Sequence, residues 1–490
     1  MKPTRREFLC ASGAALSMTA MAGHAQTLEK IAIAASDRSN SNAGGGDYKA
    51  LVCVFFSGGN DANNTIIPIH NDANVSGYAD YSNGRATQGL ALAQNTLLPI
   101  AVPRIGSLMY GMHPSFGTVT GGINPGIYPL WQQGKLAAVT NVGTLVRPMT
   151  RQQYLENTVP RPRQLFSHTD QSNQHMNARA DVMMLTGWGG RIADKITLAT
   201  NPDAIIPTVS SISGGRIFTI GEQTQPLSLG PAPTPLSSAL SLLGYNGTPA
   251  ANTRFAALVA EMDLADSNDL VTQSSAIHKE SLRISQSLNN ASETTVAFPN
   301  TSIGNQLKQV ARLIKARDGL SMNRQIFFCT VDGFDTHAGQ LIGQAGLFNQ
   351  FSQAARSFYD EMTAQTLNND VTLFTLSDFN RTFGPGGSGS NVGSDHAWAS
   401  QLFVMGGAVL GGDFYGKNTS NGTPFPTLIK NGPDDSDSGT QARGRWIPTT
   451  SVEQYAATLA RWFGLPEADM PYVFPNLENF QDHDLGFMQP

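Results

Sequence analysis

Seven consecutive apolar residues, Ala50 to Phe56, are followed abruptly by the polar run Ser57-Gly58-Gly59-Asn60-Asp61. An apolar run with no alternation predicts a strand covered on both faces, as in a parallel sheet. The same pattern recurs twice. Gln325–Val331 stops at Asp332-Gly333-Phe334-Asp335-Thr336-His337, and Val371–Leu376 stops at Ser377-Asp378-Phe379. Helical spacing precedes or follows these runs: Ile127–Gly134 before Lys135–Thr140, then Asn305–Leu320 with Leu307, Val310 and Ile314 on one face, then Gly346–Thr366. An apolar run at Leu402–Leu410 and an amphipathic helix at Val452–Phe463 close the series. Strand and helix alternate, so the expected fold is α/β, a mostly parallel central sheet flanked by helices. Residues 225–300 break the pattern. They are Pro-rich and then helical with many Ser and Asn, and read as a helical insertion in a single α/β domain over residues 49–490. Residues 26–48 are polar and Gly-rich, as in a flexible arm.

The first 25 residues read differently from the rest. Thr4-Arg5-Arg6-Glu7-Phe8-Leu9 resembles the twin-arginine consensus, with Cys10 where a lysine usually stands. A mildly apolar stretch to Ala22 follows, too short for a stable span, and then small-residue cleavage sites at Ala20-Met21-Ala22 and Gly23-His24-Ala25. Residues 1–25 are therefore expected to be a twin-arginine signal peptide. The expected partner is the twin-arginine translocation machinery and the expected destination the periplasm or the exterior. No later apolar run is long enough to span a bilayer.

Composition narrows the function classes. Of 490 residues 40% are hydrophobic and 14% charged, and the formal net charge is −5. With Lys2, Arg5 and Arg6 in the leader against Glu7 alone, the remainder is more acidic still. There is no basic patch, which argues against a nucleic-acid partner. Beyond the leader only Cys53 and Cys329 remain, both in apolar strand-like runs. Two buried thiols are the preferred reading over a disulfide.

Candidate chemistry collects at the strand ends. Asp61, Asp332 with Asp335, and Asp378 each follow a predicted strand, with His337 and His396 just beyond. Parallel strands end along one edge, so these groups can converge there. Carboxylates and imidazoles around one point suit Zn²⁺, Mn²⁺ or Mg²⁺. The competing explanation for each Asp is turn capping, which fits Asp332-Gly333 best. Arg163–Gln171 offers Ser167 or Thr169 as a nucleophile, with His168, Asp170 and, just beyond, His175 as secondary candidates for metal or water. Asp395, beside His396, is another secondary candidate. No Gly-x-Ser-x-Gly elbow is present.

Taken together, these segments resemble the exported "domain of unknown function 1501" family, which is similar to the alkaline phosphatase and sulfatase superfamily. The resemblance runs from about Leu51 to Asp413. It rests on Phe56–Asp61, Ser167-His168, Gly187–Arg191, Asp332–His337, Ser377–Thr382, Ser394-Asp395-His396 and the glycine pairs at 406–407 and 411–412. It implies an alkaline phosphatase-like fold, Ser167 as nucleophile, and metal ligands at Asp61, Asp335, His337, Asp378 and His396. Phe379 stands where the superfamily commonly has a His, so a second metal site is expected to be lost or weak. No Cys/Ser-x-Pro-x-Arg stretch is present, which disfavours a sulfatase. The resemblance thus implies a metal-dependent hydrolase of a phosphate or related small ester. The alternative is a non-catalytic binding or assembly protein on the same fold.

Overall fold

A computed structural model describes residues 48–72, 74–236, 248–263, 269–288 and 292–490. The leader, and the arm up to residue 47, lie outside the described residues. The main sheet comprises β1 (Lys49–Ser57), β5 (Leu136–Gly143), β6 (Val209–Ser211), β7 (Leu227–Ser228), β8 (Arg324–Asp332), β9 (Val371–Ser377), β10 (Ser400–Met405), β11 (Phe414–Tyr415) and β12 (Thr450–Ser451). Its order is β11-β5-β10-β9-β1-β8-β6-β7, with β12 on β5. Only β10 runs antiparallel to its neighbours, β5 and β9; the sheet is mostly parallel, as expected. A small antiparallel sheet holds β2 (Ile66–Pro68), β3 (Leu98–Val102) and β4 (Leu108–Met112).

The helices that matter below are α1 (Tyr78–Arg85), α2 (His168–Asn177), α3 (Trp188–Thr200), α4 (Pro249–Met262), α5 (Asp269–Leu288), α6 (Ser302–Lys315), α7 (Gln340–Ala364) and α8 (Val452–Phe463). Two cores sandwich the sheet. Ala50, Val52, Val54 and Phe56 point into one, beneath α6 and α7, while Leu51, Cys53 and Phe55 point into the other, beneath α3 and α8. This two-sided cover explains why β1 shows no alternation. Cys53 and Cys329 are free, buried thiols on neighbouring strands whose side chains leave the sheet on opposite faces. Among the described residues no helix is long and apolar enough to cross a membrane. Within the stretch read as an insertion, α4 and α5 are helical.

The registers fix what meets at the sheet's edge. Ser57 pairs with Asp332, and Phe56 with Ser377, so β1, β8 and β9 end together. Because β10 is antiparallel to β9, it begins at that same edge. The loop that carries His396 therefore arrives beside the ends of the other three strands.

Candidate metal centre

Two glycines make the convergence possible. After β1 the chain turns through Gly58 and Gly59, with φ of 111° and 81°. A Cβ on Gly58 would lie 2.3 Å from the Asp335 backbone nitrogen. Only glycine accommodates both that φ and that approach. Gly58→Ala is therefore expected to lower stability by roughly 1–3 kcal/mol, read as a drop in thermal midpoint, and to weaken whatever binds at Asp335.

Asp335 Oδ1 is the common point of the site. His337 Nε2 lies 3.0 Å from it, His168 Nε2 3.4 Å and His396 Nε2 3.6 Å. Arg381 Nη1 donates to it at 2.7 Å. Each imidazole is tethered from behind through Nδ1: His168 to Asp378 Oδ2 at 2.7 Å, His337 to Asp395 Oδ1 at 3.1 Å, and His396 to the Phe166 carbonyl at 2.8 Å. Those oxygens are acceptors, so each Nδ1 donates, and the neutral form of each ring then has its Nε2 lone pair toward the centre. Imidazoles that ligate metals are commonly held this way. His168 Nε2 is buried without a hydrogen-bond partner, the state expected of a ligand atom aimed at a cation. Ligand atoms of His168, Asp335 and His396 all lie within 4.8 Å of one another. His337 Nε2 adjoins the group, 3.1 Å from His396 Nε2.

The surroundings set the charge. Burial raises the Asp335 carboxyl, but the hydrogen bond and charge of Arg381 outweigh it and hold the group below its ordinary range. His168 is raised, chiefly by its hydrogen bond to Asp378. His396 is lowered, chiefly by burial, since its backbone tether only partly opposes this. The Phe379 ring packs against both, at 4.7 Å from His396 and 4.8 Å from His168, and keeps the two imidazoles in a fixed relation.

The structure assigns two of the expected ligands other partners. Asp61 is fully buried in an ion pair with Arg85 of α1 and also accepts from Gln340 and from Asn63, so its oxygens are spent inside the protein. Asp378 accepts from the Gly58 N–H at 3.1 Å and from His168, which places it behind that imidazole. His168, a secondary candidate in the sequence, instead stands at the centre. Asp395 is shared between His337 and Arg443. Asp332 is exposed at the end of β8. Ser167 caps α2, and its hydroxyl donates to Asp170 Oδ2 at 2.8 Å. Arg381 was not singled out from the sequence, and Phe379 only as standing where the superfamily commonly has a His. Both lie in the Ser377–Thr382 segment, whose position at a strand end was the available signal.

Residues 48–425 match a family model described as "Protein of unknown function (DUF1501)". No curated protein matches the chain. Solved structures that match include the C-terminal periplasmic domain of EcEptC from Escherichia coli in complex with Zn, at 9% identity over 75% of this chain and 75% of that chain, TM-score 0.30. The PsFucS1 sulfatase from Pseudoalteromonas sp. matches at 8% identity over 79% and 67%, TM-score 0.28. A TAB5 alkaline phosphatase mutant with Mg bound in its M3 site matches at 9% identity over 73% and 91%, TM-score 0.23.

Proposed function

Because the chain belongs to the DUF1501 family of proteins of unknown function, the site itself must indicate the chemistry, and we propose a metal-dependent hydrolase of a phosphate or related ester. Its place of work is the periplasm or the exterior, reached through the twin-arginine route on the strength of Arg5-Arg6 and the leader that follows. One observation carries the reading of the site: three imidazoles, each tethered at Nδ1, turn Nε2 toward a single carboxylate oxygen. His168, Asp335 and His396 would hold the ion, with His337 beside them. Two or three nitrogens with one carboxylate favour zinc over magnesium, which prefers an all-oxygen shell. Such an ion supplies positive charge to an ester oxygen and makes a nearby hydroxyl or water easier to deprotonate.

The chain's own groups supply the rest. Ser167 sits at the N-terminus of α2, next in sequence to His168, where backbone N–H groups and the helix dipole favour negative charge. Its proton already points at the Asp170 carboxylate, which is placed to accept it. Arg381 holds Asp335 ionised. The same hydrogen bond also favours a second reading, a binding protein without turnover, because a hydroxyl committed to the Asp170 carboxylate need not attack anything.

Elemental analysis of the mature protein tests the first reading. About one equivalent of a transition metal is expected in the wild type, and a loss of most of it in His396→Ala. Folded protein that takes up no metal even after reconstitution would overturn the metal centre. If metal binds, a phosphoester screen with Ser167→Ala separates the two readings: a hydrolase loses turnover at unchanged metal content.

A further inference from the structure

We propose that Asp61 and Gln340 are positioning residues which, through Ser394 and Arg381, set the orientation of the Asp335 carboxylate. The inference rests on the metal-centre reading and adds a buried chain that reaches the centre from behind. Asp335 is 48% exposed and lies on the loop after β8, with the imidazoles of His337, His168 and His396 on its open side. On its inner side it is gripped by Arg381 Nη1 at 2.7 Å, from a side chain with no exposure at all.

Arg381 is itself gripped in turn. Its Nη2 donates to the Ser394 carbonyl, and its Nη1 also to the Gly58 carbonyl at 3.2 Å. The Ser394 hydroxyl donates to Gln340 Oε1, and Gln340 Nε2 donates to Asp61 Oδ2. Arg85 anchors the far end at the same Asp61 oxygen. A second arm runs in parallel: Asn63 Nδ2 donates both to Asp61 Oδ1 at 3.0 Å and to the Arg381 carbonyl at 2.9 Å. Asn380 Oδ1, one residue before Arg381, accepts from the Ala62 N–H at 2.8 Å. The segment after β1 thus clamps Arg381 by side chain and by backbone. Asp61, Gln340, Ser394 and Arg381 are all buried, at 1% exposure or less. In that setting each hydrogen bond is stronger than in water and each donor has few alternatives, so the chain has one arrangement rather than several.

A merely structural network would affect stability alone. A positioning network alters the metal's ligand field as well. Three variants of the full mature chain separate these: Ser394→Ala and Gln340→Met, which each cut the arm from Asp61 to Arg381 that runs through Gln340 and Ser394, and Tyr81→Phe as a control. Tyr81 is equally buried and donates to Asn64 Oδ1 at 2.8 Å, off the chain. Zinc affinity is measured by competition with a chromophoric chelator, and ligand geometry by the visible spectrum of the cobalt form. Losses of roughly tenfold to a hundredfold in zinc affinity are expected for Ser394→Ala and Gln340→Met, with a changed cobalt spectrum. Tyr81→Phe is expected to bind as the wild type does, at a lower melting temperature. Ser394→Ala removes only one hydroxyl and keeps the test decisive if Gln340→Met does not fold. Wild-type affinity and spectrum in Ser394→Ala would overturn the positioning role alone. A wild type that binds neither zinc nor cobalt would overturn it together with the metal centre.

Discussion

Asp61→Ala is expected to cost about 3–5 kcal/mol of folding stability, the penalty for leaving one member of a buried ion pair without the other. Asp61 and Arg85 have no exposed side-chain surface. Without the carboxylate, Arg85 keeps one bond to the Phe383 carbonyl at 3.1 Å and a place over the Phe383 ring, neither of which neutralises its charge. A urea denaturation series reads the loss directly. Asp61→Ala combined with Arg85→Met is expected to recover much of it, since the charge left behind causes most of the penalty. His396→Ala is expected to show the opposite profile, losing metal with stability changed by about 1 kcal/mol or less, because His396 is partly exposed and its ring is bonded only to the Phe166 carbonyl and to the exposed His337. Were Asp61→Ala to fold as stably as the wild type and lose its metal outright, Asp61 would be a ligand after all.

That contrast marks where the sequence stops being legible. β1, β8 and β9 could be read from their unbroken apolar runs, and parallel strands imply a shared edge, so Asp335 and His337 follow directly. His396 follows less directly, because the apolar run after it says nothing about direction; only the antiparallel pairing of β10 with β9 brings it to that edge. Asp61 has the same sequence context as Asp335, a carboxylate just past a strand. What separates them is Arg85, 24 residues on, buried in the otherwise polar helix Tyr78–Arg85. A long-range ion pair between a strand end and such a helix leaves no periodic trace. His168 is hidden for the converse reason: it begins a helix rather than ending a strand, and comes to the centre because its Nδ1 reaches Asp378, 210 positions away.

The other large effect is expected from a residue remote from the chemistry. Glu453, in the first turn of α8, is 1% exposed, and neither carboxylate oxygen has a hydrogen-bond partner. Burial pushes its carboxyl up from 4.5 to about 8. Between those values the folded protein holds a proton that the unfolded chain has released, so stability should fall as pH rises through that window and level off above about 8. A window of that width corresponds to roughly 4–5 kcal/mol at most. Glu453→Gln keeps the neutral shape and removes the titration. Its stability is expected to match the wild type near pH 4 and to exceed it increasingly toward pH 8, as read from urea midpoints of the two proteins across that range. Taking the difference between them cancels groups common to both, including His175, whose burial lowers it to about 3 and which therefore loses stability only as pH falls. If the wild type instead gained on the Gln variant with rising pH, Glu453 would be ionised in the folded protein, and the nearby Arg179 would be the partner that holds it so.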